Sequence, residues 1–422
     1  MEAFNTLDEK LNTSLCTLCF VTITVGVVSG LLGMSLALLL HYLQHIAYGY
    51  SPHHIISDVS FLAGVSASSA ERRIAILVLC GLIAGLGWAA IYRFGKPLVS
   101  IAEALKSNKK MPLVTTTLHA LLQIITIALG SPLGREVAPR EVSAVFASWL
   151  SAKAGLTTRE TKILLACGAG AGLAAVYNVP FGSAVFVLEV LLCSFRWHLV
   201  IPALTTSAIA VVVSWWGLGN EPLYHVPELT MNSSLIIWSI ISGPLFGITA
   251  FWFIQIATIA RSNAPRNWKI VLSCLLNFLI IGCLAIYFPA LLGNGKSPAQ
   301  MEFSNSVGIG LSALLLLLRC IVVWSSLRAG AQGGLLTPSM ANGALLGVVL
   351  GGLWNLLLPS SSLEAYAVIG AAGFLGAAQK MPLTAIILIF EFTHVNLNFL
   401  IPLMLAVAGS TSMFHWCKKK AS

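Results

Sequence analysis

The sequence predicts an all-α polytopic membrane protein made of two related halves. Three observations carry that prediction: an apolar excess, a string of apolar tracts of membrane-crossing length, and a block of residues that occurs twice. The chain of 422 residues is 57% hydrophobic and only 9% charged, with a mean hydropathy of +0.88. So much apolar surface cannot be hidden in a water-soluble core and needs lipid as its solvent.

The tracts run the length of the chain: Ile74 to Tyr92, Leu113 to Leu133, Leu199 to Leu218, Ile236 to Ala260, Ile270 to Leu292 and Val307 to Leu318. Crossing a hydrocarbon layer as a helix takes roughly 20 residues, and several tracts reach that length. Glu2 and Asp8 precede the first apolar run, and no basic leader with a small-residue cleavage site is present. The first segment is therefore expected to stay in the mature protein. The net charge of +9 gathers in short clusters, Lys106 with Lys109 and Lys110, then Lys418 to Lys420. Clusters of this kind anchor loops on the cytoplasmic side and are too short for a nucleic-acid surface. Of nine cysteines only Cys16 and Cys19 form a C-x-x-C pair, with no second pair and no nearby His, so helix packing is expected and neither a metal nor a cofactor. About 15 residues follow Val407, and no cytoplasmic regulatory domain is expected.

Gly168 to Glu189 (GAGAGLAAVYNVPFGSAVFVLE) and Gly370 to Glu391 (GAAGFLGAAQKMPLTAIILIFE) align without a gap. Gly168 pairs with Gly370, Leu173 with Leu375, Pro180 with Pro382 and Glu189 with Glu391, at a constant offset of 202 residues. Upstream of each copy, Gly134 to Pro139 answers Gly333 to Pro338 at an offset of 199. Gly/Ala-rich helices match by chance, but the paired prolines and paired intramembrane glutamates argue for a duplicated unit. Residues 1–220 then form a first membrane half and 235–422 a second, with a polar join at 221–234 inside the stretch Gly219 to Ser234. Such repeats often place a substrate site where the halves meet.

Pro180 to Glu189 spans about 15 Å as a helix, half of a hydrocarbon core. It is expected to be a partial helix, as are the stretches opening at Pro139 and Pro338. Irregular backbone at membrane depth is tolerated only where protein or a water-filled cavity surrounds it. A helix N-terminus offers unpaired N–H groups and partial positive charge, and glycine lets the backbone come close to an ion, a geometry that selects anions. Three loops have this make-up: Gly95-Lys96-Pro97, Ser131 to Pro139 (SPLGREVAP) and Gly333 to Pro338 (GGLLTP). A cation site would want several carboxylates or exposed carbonyls, and these loops hold a single carboxylate, Glu136.

At these residues the chain resembles the CLC family of chloride channels and proton-coupled antiporters over nearly its whole length. Gly134-Arg135-Glu136 with Pro139 is similar to the family's GREGP, carrying Val137 and Ala138 before the proline. Gly334-Leu335-Leu336-Thr337-Pro338 is similar to its GxFxP. The order also agrees: GKP at Gly95 opening a helix, then GRE, the GAGAGL block, LLGNG at Leu291 to Gly295, and GGLLTP. The resemblance implies a CLC-type inverted repeat of tilted and broken helices in the cell (inner) membrane. It also implies a homodimer with one pore per subunit, and halide anions and protons as the species bound. Glu136 matches the family's gating, proton-carrying glutamate. Independently of the family, a carboxylate near a helix N-terminus competes with a permeant anion for the same positive potential, and protonating it frees the site. The plainer reading of Glu136 is a helix N-terminal acid favoured by the dipole. Arg135 either balances Glu136 or sits at an aqueous mouth, Arg140 and Glu141 read as a surface pair, and Glu189 and Glu391 as structural.

The family pattern is broken in three places. Lys96 stands where a central-site serine is usual; Asn396 or Asn398 stands where a C-terminal tyrosine is expected; Val190 follows Glu189 where many antiporters hold an inner glutamate. A valine there occurs in CLC channels and is compatible with the fluoride-exporting branch, towards which the GREVAPRE form and the altered serine lean. Thr337 is a candidate hydrogen-bond donor to a small anion or a core threonine bonded to its own helix. Lys96 either strengthens anion binding or snorkels to the cytoplasm, the second being favoured. The alternatives are a passive chloride channel, supported by Val190, a membrane-embedded enzyme, and a cation/proton exchanger. The enzyme lacks an H-E-x-x-H motif and finds no metal spacing around His53-His54; the exchanger needs more intramembrane acids.

Overall fold

The computed structural model describes residues 14–51, 56, 59–107, 109–358 and 361–421. Glu2, Asp8 and the pair His53-His54 lie outside them. In chain order the helices are α1 (Leu15–Tyr48), α2 (Phe61–Ala67), α3 (Ala70–Phe94), α4 (Ile101–Lys106), α5 (Leu113–Ala128), α6 (Val137–Lys153), α7 (Thr158–Tyr177), α8 (Pro180–Phe186) and α9 (Trp197–Leu218). They continue as α10 (Ser233–Ser262), α11 (Lys269–Tyr287), α12 (Lys296–Phe303), α13 (Ile309–Ala329), α14 (Leu336–Asn355), α15 (Leu363–Gln379), α16 (Pro382–Thr393) and α17 (Leu400–Ala421). Among the described residues eight helical segments are long and apolar enough to cross a membrane. Large apolar side chains such as Phe20, Ile201, Trp216, Trp252 and Ile280 are exposed on them, as lipid-facing surfaces should be. The protein is a multi-pass α-helical membrane protein.

The chain folds as two compact units. The first comprises Met1–Leu39, Ile91–Leu121 and Glu136–Glu221; the second comprises Leu40–Ala90, Leu122–Arg135 and Pro222–Ser422. The boundary after Glu221 falls in the polar join, which leaves α9 at Leu218 and enters α10 at Ser233. Two earlier segments, 40–90 and 122–135, pack with the later residues.

In the first unit, α7 starts with a capping box, Thr157 with Glu160, and is buried at every position from Ile163 to Tyr177. A helix apolar all round belongs in an interior. Its glycines bring it hard against α6: a methyl group on Gly168 or Gly172 would strike the backbone at Ser143 or Pro139. In the second unit α15 has the same part, buried from Ala365 to Ala378, with Gly370 pressed on Gly343 and Gly347 of α14.

The two copies also break alike. Asn178 after α7 has φ 57 and ψ 45, and Lys380 after α15 has φ 55 and ψ 43. Val179 (φ −129, ψ 72) and Met381 (φ −136, ψ 65) follow, and a proline, Pro180 or Pro382, opens the next short helix. A fixed proline φ suits a first helical position, while the missing N–H stops the previous helix from running on. The sequence offset of 202 thus reappears as matching backbone geometry.

Two sequence expectations about helix shape fail. The helix at Pro338 is not partial: α14, with 20 residues, is long and apolar enough to cross a membrane, whereas α6, with 17, is not among such helices. Each proline is the third helical residue, where it displaces no intrahelical bond, and no breaker follows until Lys153 or Asn355. Gly95-Lys96-Pro97 does not open a helix. The Gly95 N–H instead closes α3 on the Ile91 carbonyl at 2.9 Å. The next helix, α4, starts only at Ile101, where the Ser100 hydroxyl accepts from the Glu103 N–H.

Candidate anion site

The glycine loops before α6 and α14 meet. Within the second unit the Gly134 N–H donates to the Gly334 carbonyl and the Gly334 N–H to the Gly134 carbonyl, both at 2.8 Å. This antiparallel bridge is the only one among the described residues. Backbones come this close only where side chains permit, and a Cβ on Gly333 would lie 2.6 Å from that of Leu133. Arg261 ties the same loop down, its Nη2 donating to the Gly333 carbonyl at 2.9 Å. The Gly293 N–H, in the LLGNG motif, donates to the Gly130 carbonyl at 3.1 Å. Tyr48 Oη donates to the Leu129 carbonyl at 2.9 Å. Three sequence motifs far apart in the chain therefore converge in one unit: SPLG, LLGNG and GGLLTP.

From Gly334 the chain passes through Leu335, the N-cap, into Leu336, Thr337 and Pro338, the first turn of α14. All but the half-buried Leu335 are buried, Thr337 being 1% exposed. Gly134 is followed by Arg135 and then by Glu136, which is the N-cap of α6 but caps nothing with its side chain. Val137 and the buried Ala138 form the first turn. Glu136 is 1% exposed, and within the first unit Tyr177 Oη donates to its Oε2 at a long 3.5 Å. The carboxylate is thus enclosed at a helix N-terminus.

Arg135 lines a cavity of about 350 Å³ in the second unit, with His41, Gln44, His45, Asn294 and Lys296 among its other walls. Among the described residues no acidic side chain lines it. A concave surface carrying cations attracts anions.

The remaining candidates are dispersed. Lys96 is exposed in the first unit, its backbone N–H donating to Thr115 Oγ1 at 3.1 Å, and Pro97 is exposed beside it. Asn396 and Asn398 are both exposed, around the turn between α16 and α17. Glu189, in a π-helical turn, Val190 and Glu391 are half-buried. Arg140 and Glu141 are not a surface pair. Arg140 stacks over the Phe186 ring at 4.4 Å, and Glu141 Oε2 meets His119 Nδ1 at 2.7 Å, both side chains largely enclosed. Tyr177, His41 and Lys296 escaped the sequence reading; their signal is a polar side chain set in or beside an apolar run.

A family model described as a voltage gated chloride channel matches residues 80–415. The voltage-gated ClC-type chloride channel ClcB of Salmonella typhi is 26% identical over 380 residues, covering 86% of this chain and 88% of that one. The H(+)/Cl(-) exchange transporter ClcA of Vibrio campbellii is 24% identical over 411 residues, covering 93% and 85%. Among solved structures, a slow cyanobacterial Cl-/H+ antiporter superposes with a TM-score of 0.79 at 19% identity over 96% of both chains. A CLC-type fluoride/proton antiporter superposes with a TM-score of 0.69 at 20% identity, again over 96% of both. At these identities the structural likeness speaks for the fold.

Proposed function

The chain belongs to the CLC family of voltage gated chloride channels, and from that membership we propose that it exchanges a halide for protons across the cell (inner) membrane. Membership places it among channels and transporters, not enzymes. The observation that carries the proposal is the reciprocal Gly134–Gly334 bridge, which supports one site made from the two glycine loops. In this reading Gly134, Arg135, Val137 and Ala138 with Gly334 to Pro338 line the anion pathway, and Glu136 is its gate and proton carrier. When Glu136 is charged it holds the anion's place at the helix N-terminus; when protonated it leaves that place to the anion. Each turnover then moves both species.

Fluoride is the proposed substrate, with chloride the competitor. The replaced central serine supports this. Exposure of Lys96 supports the cytoplasmic, snorkelling role, and GKP then funnels anions instead of binding them. Two halves derived by duplication and a homodimer with one pore per subunit complete the proposal. A second reading, a passive chloride channel, is favoured by Val190 and by the name borne by the Salmonella relative.

Liposome flux separates the readings. A halide gradient should pump protons uphill in the wild type, fluoride faster than chloride, and Glu136→Gln should move the halide with no proton pumping. Equal coupling in both proteins removes Glu136 from the mechanism, and wild-type flux without pumping selects the channel.

A further inference from the structure

Arg319 is the middle residue of α13, ten residues from either end of a helix that runs Ile309–Ala329, in the apolar run LLLLLRCIVVW. It is 0% exposed. Its Nε, Nη1 and Nη2 have no hydrogen-bond partner among the described residues. A guanidinium carries five N–H donors and a charge that deprotonation cannot remove, so burying it unpaired at the middle of a membrane-crossing helix is among the most costly placements a side chain can have. Such a residue persists where something else supplies the negative charge.

The surroundings indicate what that is. Gly295, left-handed at φ 106, stands at the start of α12. A Cβ added there would lie 2.9 Å from Arg319 Nη2, 3.1 Å from the Ala341 Cβ and 3.2 Å from the Thr337 carbonyl oxygen. The guanidinium therefore reaches from α13 to the flank of the first turns of α14, the helix whose glycine loop is bridged to Gly134. The absence of a side chain on Gly295 keeps that approach open. All of these residues belong to the second unit.

We propose that Arg319 is a specificity-determining residue of the transport pathway: its guanidinium uses the transported halide as its counter-ion, beside the first turns of α14. The inference rests on the anion-transport reading and adds to it a fixed charge inside the membrane. Water could satisfy some of the donors, but only an anion answers the charge. A small halide answers it at the side-chain-free face of Gly295. Anion binding and folding are then linked, because a ligand that binds only the folded protein raises its stability.

The test uses the whole purified protein in detergent, with melting curves and calorimetric titrations in sodium fluoride, sodium chloride and sodium gluconate at equal ionic strength, and with flux in liposomes. For the wild type the melting temperature should rise in halide over gluconate. For Arg319→Met it should not respond to halide and should lie above the wild-type value in gluconate, since an apolar isostere removes an uncompensated charge. Halide affinity should fall by about tenfold or more in Arg319→Met and by about threefold in Arg319→Lys, which keeps the charge and loses the planar donors. A purely structural arginine would lower the melting temperature in every salt alike. If Arg319→Met does not fold, Arg319→Lys decides, and unchanged affinity and fluoride-to-chloride preference overturns the proposal. Wild-type flux together with wild-type affinity and halide response in Arg319→Met also overturns it and leaves the transport reading standing. No halide flux in the wild type overturns both.

Discussion

Ahead of the first turn of α6 stands Glu136; at the equivalent place ahead of α14 stands Leu335. Around them the copies agree closely: a helix pair locked by glycines, α6 with α7 and α14 with α15, then a left-handed residue, then a proline-opened short helix. They part again at the end, where α8 passes into a π-helical turn at Val187–Leu191 while α16 stays α-helical to Thr393. Packing is therefore duplicated and chemistry is not. A buried glycine contact constrains both copies equally because it answers to volume alone, whereas in the proposed exchange one carboxylate is enough to couple two ions and a second would only add a buried charge.

The largest effect expected from disturbing this asymmetry is at its centre. Glu136→Gln should abolish proton pumping while halide flux persists. Leu335→Glu, which gives the second copy the carboxylate of the first, should cut halide flux about tenfold by occupying the helix N-terminus with a fixed negative charge, measured in the same liposomes. Unchanged flux in Leu335→Glu would remove the N-terminus of α14 from the pathway.

The packing symmetry is tested next. Gly172→Ala and Gly370→Ala each force a methyl group into opposing backbone. Both should destabilise the protein by about 1–3 kcal/mol, the usual cost of overpacking, seen as similar falls in melting temperature in detergent. A large loss at one site and none at the other would break the equivalence of the copies.

The smallest effect sharpens the comparison at the helix breaks. Lys380 pays for a left-handed conformation that glycine adopts freely, so Lys380→Gly should stabilise by about 1 kcal/mol. Asn178 shares that conformation, but its amide donates to the carbonyls of Asn220 and Glu221 at 3.1 and 3.3 Å and accepts from Trp215 Nε1 at 2.9 Å. Asn178→Gly should therefore be destabilising, and the opposite signs can be read from paired melting curves.

Much of this was legible in the sequence because it depends on local rules. Prolines and glycines at a constant offset announced where helices stop and start, and the breaks at Asn178 and Lys380 fall inside the aligned blocks. The failures share another cause. GKP looks like a helix-opening loop, but whether a glycine N–H closes the preceding helix or faces an ion depends on which carbonyl lies behind it, here Ile91. Arg140 and Glu141 look like a surface pair because adjacent opposite charges usually are; Phe186 and His119, brought in by other helices, decide otherwise. Arg319 is a single charge in a long apolar run, and the sequence around it does not reveal its burial.

By itself the sequence determined that this chain lives in lipid, that its architecture is repeated, and that its single loop carboxylate stands at Glu136. These follow from composition, from periodic breakers and from residue identity. Only the tertiary structure decided that Gly134 and Gly334 exchange hydrogen bonds, that residues 40–90 and 122–135 pack with the second half of the chain, and that a cation lies sealed beside α14. Such facts arise from backbones about 200 residues apart meeting face to face. No local preference of the chain encodes that meeting, because its free energy exists only once both partners are buried.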